Sequence, residues 1–166
     1  MIVAAEKAGL AHVDACRELE RLDTIPFESE DQFMATLHYG KGGHIIYQKG
    51  AVERVVGRCS TMVDDLGNEL QIEPKKIFAA ADQMAAKALR VLAFAQRKAI
   101  TGQRELDHHH VARDLIFLGL QGMMDPPRRE ATAAVQRCQN AGIAVKMITG
   151  DHLLTARAIA HKIGLR

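Results

Sequence analysis

Apolar and polar positions alternate along residues 33–39 and 44–49, the pattern of strands with one buried face. Gly40-Lys41-Gly42-Gly43 joins the two runs, so they read as a hairpin. In the second run Ile45, Tyr47 and Lys49 alternate with His44, Ile46 and Gln48. Gly50 breaks that strand, and a helix is expected over residues 52–58. Residues 89–95, LRVLAFA, are apolar except for Arg90 and predict a buried strand. Helical spacing appears over residues 2–8, closed by Gly9, and over 75–87, opened by Pro74 at the first helical position. The first helix starts inside its apolar pattern without an N-cap, which reads as a piece of a longer chain. Residues 13–22 are more polar, helical or irregular. Pro26 keeps residues 23–27 extended, and Glu28-Ser29-Glu30-Asp31 is a turn. The stretches 59–73 and 100–113 read as a polar connection and a polar loop.

From residue 114 the texture changes. A strand is expected at 115–120, a helix at 126–140, a strand at 144–148 and a helix at 152–163. That order at short spacing is a βαβα unit with parallel strands. The expected fold is therefore α/β (α+β) in two parts. Residues 1–114 form an antiparallel sheet with flanking helices, and residues 115–166 form part of a doubly wound fold.

The 166 residues are 48% hydrophobic and 25% charged with a net charge of +2, an ordinary globular balance. No basic run argues for nucleic acid, and no apolar run is long enough to span a bilayer. The start, MIVAAEKAGL, lacks the pattern of a signal peptide. Cys16, Cys59 and Cys138 are far apart and lack metal spacing, so they read as reduced thiols.

Candidate chemistry gathers where strands end. Lys49 stands at a strand end beside Gly50, a glycine that lets another molecule approach the backbone. That suits an anionic ligand, as it also suits a solvated lysine. Thr149-Gly150-Asp151 lies where a strand meets a helix, the place where open α/β sheets bind ligands; Asp151 also suits a helix cap. Asp125-Pro126-Pro127-Arg128 follows the preceding strand, and Arg128 either meets a phosphate or sits on a rigid connection. Phe27 either stacks on a base or anchors the next strand. Arg90 within an apolar strand calls for an acid or a bound anion. His108-His109-His110 has no Cys or acidic cluster to complete a metal set, so no metal site is assigned.

Five pieces agree in order with one family. Ile25-Pro26-Phe27-Glu28-Ser29 with Phe33-Met34 resembles the adenine-side segment of type-2 P-type cation-transporting ATPases. Lys49-Gly50-Ala51-Val52-Glu53 resembles their KGAPE motif, and Leu89-Arg90-Val91-Leu92-Ala93 their LRVLA stretch. Asp125-Pro126-Pro127-Arg128 resembles DPPR, and Met147-Ile148-Thr149-Gly150-Asp151 resembles MITGD. The resemblance implies a cytoplasmic nucleotide-binding domain over residues 1–114, then part of a haloacid-dehalogenase-like phosphorylation domain over 115–166.

By position it implies that Phe27 stacks on adenine, that Gln32, Lys49 and Gly50 line the nucleotide pocket, and that Arg90 reaches the phosphates. Asp125, Arg128, Thr149, Gly150 and Asp151 fall on the phosphorylation-domain face. The implied ligand is ATP, with Mg²⁺ in the full-length protein. The implied partners are the remaining phosphorylation, actuator and transmembrane domains of a membrane cation pump. Three departures stand out. Gln32 replaces a family lysine, Val52 replaces the proline of KGAPE, and the aspartyl-phosphate motif DKTGT is absent, as is GDGxNDxP. The fragment is thus expected to bind nucleotide without completing the reaction. The alternatives are a haloacid-dehalogenase-type phosphatase, which needs a nucleophilic Asp after a strand, and a non-catalytic ATP-sensing module.

Overall fold

The computed structural model describes residues 2–87, 89–123, 128–150 and 153–165, with side chains in these ranges except at 2–4, 129, 154 and 155. Helices α1 (Ile2–Lys7) and α2 (His12–Glu18) lead into strand β1 (Leu19–Ile25). The hairpin β2 (Phe33–Gly40) and β3 (Gly43–Gly50) follows, then α3 (Val52–Val56), β4 (Cys59–Val63) and β5 (Glu69–Gln71). After these come α4 (Pro74–Ala85), β6 (Arg90–Lys98), β7 (Leu115–Met123), α5 (Arg129–Asn140) and α6 (Leu153–Lys162). One seven-stranded sheet runs in the order β1-β2-β3-β6-β7-β4-β5. It makes the fold a mixed α/β one, with helices flanking a largely antiparallel sheet, as the sequence pattern leads one to expect.

The hairpin forms as the alternation requires. Phe33 faces Gly50, Ala35 faces Gln48 and Leu37 faces Ile46, and all six are buried. With Ile25, Leu106 and Val111 the apolar members of this set make a core under one face of the sheet. Leu106 and Val111 come from the stretch expected to be a polar loop. Asp23 ties that loop down, its Oδ2 accepting the Leu106 N–H at 2.7 Å. A 3-10 turn, His108–Val111, then presents Val111 to the core.

Four elements differ from expectation. Residues 19–25 are a full strand, because β2 pairs with them along their length, from Leu19 opposite Gly40 to Ile25 opposite Ala35. The connection after α3 is a hairpin, β4–β5, closed by Asp64, whose Oδ1 accepts N–H groups of Leu66 and Asn68. Strand β7 pairs parallel with β4, Cys59 opposite Leu115, so the parallel neighbour comes from before it in sequence. Residues 144–148 are not a strand: no described residue pairs with them in a ladder, and Ile148 is 98% exposed. A strand-like pattern supplies the side-chain alternation, but a strand also needs a neighbour for its N–H and C=O groups.

The backbone divides into two compact units, residues 1–75 with 92–121, and residues 76–91 with 122–166. The second unit takes most of α4, with Ile77, Ala81 and Ala85 buried on one helical stripe, and it contains α5 and α6. Within it Gln139 Nε2 donates to the Gly164 carbonyl at 2.9 Å.

The three cysteines are unpaired. Burial pushes the Cys59 thiol up to about 12, and its Sγ donates to the Val55 carbonyl at 3.2 Å. Thiolate is the reactive form, so at pH 8 only about one Cys59 in ten thousand is poised to react. Exposed Cys16 is therefore expected to take up a maleimide in the native chain while Cys59 does so only after denaturation. Mass-spectrometric mapping of the labelled peptides checks this, and equal labelling of the two would contradict the partly buried placement of Cys59.

Candidate functional site

The face of the sheet opposite the core carries a cavity of about 260 Å³ in the first unit. Its position follows from strand register. Met34 on β2, Lys49 on β3 and Phe94 on β6 stand in one row across three strands. Thr36 and Tyr47 stand in the next row, and Arg21 of β1 and Leu118 of β7 complete the wall. The lining combines an apolar floor, two hydroxyls and two cations.

Lys49 lies between Met34 and Phe94, so its stem packs on apolar neighbours. Burial there lowers its pKa from the usual lysine value, and the positive charge of Arg21 lowers it further. Both causes disfavour the ammonium, and an opposite charge placed beside it would offset them. Next to Thr36, His38 has a defined tautomer. Its Nδ1 donates to the Leu19 carbonyl at 3.4 Å, so Nε2 accepts from the Thr36 hydroxyl at 2.9 Å. Burial outweighs the Leu19 contact, which pulls the other way, and with a smaller effect of the Arg21 charge it holds His38 below its usual pKa.

Gly50 sits where β2 and β3 approach closely. A Cβ built on Gly50 falls 2.7 Å from Cα and Cβ of Phe33 and closer still to the Gln32 carbonyl. The glycine admits the chain's own β2 backbone at this point. The Ala51 N–H donates to that same Gln32 carbonyl at 2.9 Å, which pins the end of the strand carrying Lys49. Gln32 adopts φ 58°, and its N–H closes the turn onto the Glu28 carbonyl at 2.8 Å. Its side-chain oxygen accepts from Arg54 Nε at 3.3 Å. Beyond it the buried Phe33 ring lies under the Arg58 guanidinium, 3.9 Å from the ring centroid, and meets His108 edge-on.

Phe27 is 58% exposed and does not line the cavity. Arg90 is the first residue of β6 and exposed, so the strand begins where burial would have been costly; it belongs to the second unit. Arg128 is the exposed N-cap residue of α5. Thr149 and Gly150 are exposed, and Asp125 and Asp151 lie outside the described residues.

The histidine run does gain an acid. Asp107, His109 and His110 bring ligand atoms within 4.8 Å of one another, and the ring centroids of His109 and His110 lie 3.8 Å apart, the rings tilted by 38°. Asp107 and His110 nevertheless satisfy each other in a capping box, the Asp107 N–H donating to His110 Nδ1 at 3.0 Å. The ring proton then sits on Nε2, and His110 has no free lone pair for a cation.

Of the cavity wall, the sequence singled out Lys49. Met34 stood within the quoted adenine-side segment without a role of its own. Arg21, Tyr47 and Phe94 become visible only through register.

The sequence profile described as P-type ATPase, cytoplasmic domain N, matches residues 1–130. A cation-transporting ATPase pma1 of Synechocystis is 48% identical over 165 residues, 99% of this chain and 18% of that protein. A probable cation-transporting ATPase F of Mycobacterium bovis is 41% identical over 165 residues, with the same coverage of each chain. A calcium-transporting ATPase 1 of Bacillus cereus is 38% identical over 148 residues, 88% of this chain and 16% of that protein. The chain thus spans about a fifth of the length of these relatives. With the profile match over most of its length, the chain belongs to the P-type ATPase family, in the region of cytoplasmic domain N.

Proposed function

We propose that this chain is the ATP-binding piece of a cation-transporting P-type ATPase. The observation that carries the reading is the cavity, with the partly buried Lys49 set between Met34 and Phe94. An apolar floor takes a flat base, and cations at its wall meet phosphate. In this reading Phe27, from the loop before β2, closes over the adenine, Gln32 stands at the edge of the pocket, and Arg90 meets the phosphates. Gly50 holds Lys49 in position through the β2 backbone. Asp125, Arg128, Thr149, Gly150 and Asp151 belong to the face of the phosphorylation domain. The division into a nucleotide-binding part, residues 1–114, and the start of a phosphorylation part, residues 115–166, rests on motif order.

The whole protein would transfer the γ-phosphoryl group of ATP to an aspartate and couple that cycle to cation movement across a membrane. Positioning and charge neutralisation carry such a transfer. Among the described residues no carboxylate lines the cavity, so its donor set does not fit Mg²⁺, which belongs to the remainder of the parent chain. No described helix is long and apolar enough to cross a membrane, so the spanning helices also lie in that remainder. The chain is then a cytoplasmic part of an integral membrane protein, with the rest of the phosphorylation domain and the actuator and transmembrane domains as its partners.

The sequence contains no DKTGT, so the 166-residue chain binds ATP and does not turn it over. Calorimetry with ATP, paired with a phosphate-release assay, tests both halves. Saturable binding without sustained release is expected. No binding overturns the nucleotide reading, and sustained release that copurifies with the chain overturns the missing nucleophile.

A further inference from the structure

Arg21 and Lys49 enter one cavity from different strands. Arg21 is exposed on β1 opposite His38 of β2, and Lys49 is partly buried on β3. They are close enough for the Arg21 charge to act on Lys49. Among the described residues no carboxylate lines the cavity and no ion pair holds the Arg21 guanidinium. Paired strands keep the two cations on one concave wall, so they do not relax apart as two lysines on a loop would. An anion lying between them offsets the repulsion, because an opposite charge nearby favours the charged form of both. A guanidinium adds a planar fork of donors that matches phosphate oxygens two at a time.

We infer that Arg21 is a further cationic contact of the bound nucleotide, beside Lys49 and set on its phosphate chain, and that it makes the cavity prefer nucleoside di- and triphosphates to nucleosides. The inference rests on the proposed reading of the cavity as a nucleotide site. Arg21 lies in none of the motifs that resemble the family's, and nothing in its local sequence, Leu19-Glu20-Arg21-Leu22, singles it out.

The test measures ATP, ADP and adenosine affinity for the unaltered chain, Arg21→Gln and Arg21→Lys, at low and high salt. Arg21→Gln is expected to weaken ATP and ADP about fivefold and to leave adenosine within about twofold. Its ATP affinity should fall less steeply with salt, because one screened attraction is gone. Arg21→Lys should keep most of the affinity, since the charge stays. Melting curves should coincide for all three proteins, as the side chain is exposed. Equal loss for ATP and adenosine, or unchanged ATP binding in Arg21→Gln, overturns the role given to Arg21 and leaves the nucleotide site standing. If the unaltered chain binds none of the three ligands, the nucleotide reading itself fails, and this inference with it.

Discussion

Gly50→Ala is expected to destabilise the chain by about 3 kcal/mol, the upper part of the range for forcing atoms into packed space. The added methyl group meets backbone, not the end of a flexible side chain. It would lie 2.7 Å from Cα and Cβ of Phe33 and closer to the Gln32 carbonyl. Relief requires β2 and β3 to separate where Phe33 faces Gly50, which breaks the Ala51 N–H contact to Gln32 and disturbs a fully buried ring. For a chain of this length about 1 kcal/mol corresponds to roughly 2–4 °C, so the melting temperature should fall by roughly 6–12 °C. Gly42→Ala is the control. Nothing lies within 4 Å of its Cβ position, so its melt should match the unaltered chain. Thermal melts of both variants by circular dichroism decide the matter. A Gly50→Ala melt within a degree of the control would mean that the strands do not close as described.

The hairpin was legible because two independent signals agreed there. Alternation fixed which faces of β2 and β3 are buried, and the glycines between them fixed the reversal. Strand β1 was hidden because LERLDTI buries only Ile25 fully, and β5 because all three of its residues are exposed. Such strands are held by their neighbours, and no local pattern announces that. The same reason explains the parallel pair. Burial of Leu115 and Phe117 announces an inner strand, but choosing β4 over residues 144–148 as its neighbour is a long-range decision.

The site divides along the same line. Lys49 could be found from a strand, a glycine and a charge read together. The row Met34–Lys49–Phe94 joins residues up to 60 positions apart and exists only once β2, β3 and β6 are in register. Gly50 shows the opposite limit. Its neighbourhood in sequence pointed to an incoming ligand, whereas the atoms that require it to be glycine are those of Gln32 and Phe33. Arg90 looked buried because its run is apolar. The strand instead begins at Arg90 itself, which places the charge outside.

Lys49→Ala and Phe27→Ala are expected to weaken nucleotide binding in different ways. A hydrogen bond to a charged group contributes about 1.5–3 kcal/mol, and losing it corresponds to roughly 10- to 100-fold in affinity. If Lys49 meets phosphate, the loss falls on ATP, and adenosine is affected only through the apolar floor that the lysine stem helps to form. Phe27 is 58% exposed, so Phe27→Ala should leave the melting curve unchanged. If the ring closes over adenine, its loss costs about 1–3 kcal/mol for ATP and adenosine alike, because the contact is with the base. Gln32→Lys adds a charge near the pocket, but it replaces the acceptor that Arg54 Nε uses at 3.3 Å with a second cation. Part of any gain is therefore spent on repulsion, and a modest tightening of ATP that shrinks at high salt is expected. Titration of the four proteins with ATP and adenosine at two salt concentrations separates these effects. If Phe27→Ala binds both ligands as the unaltered chain does, Phe27 has no part in the adenine site. If Lys49→Ala loses adenosine as strongly as ATP, Lys49 sits beside the base, and the phosphates must lie toward another cation.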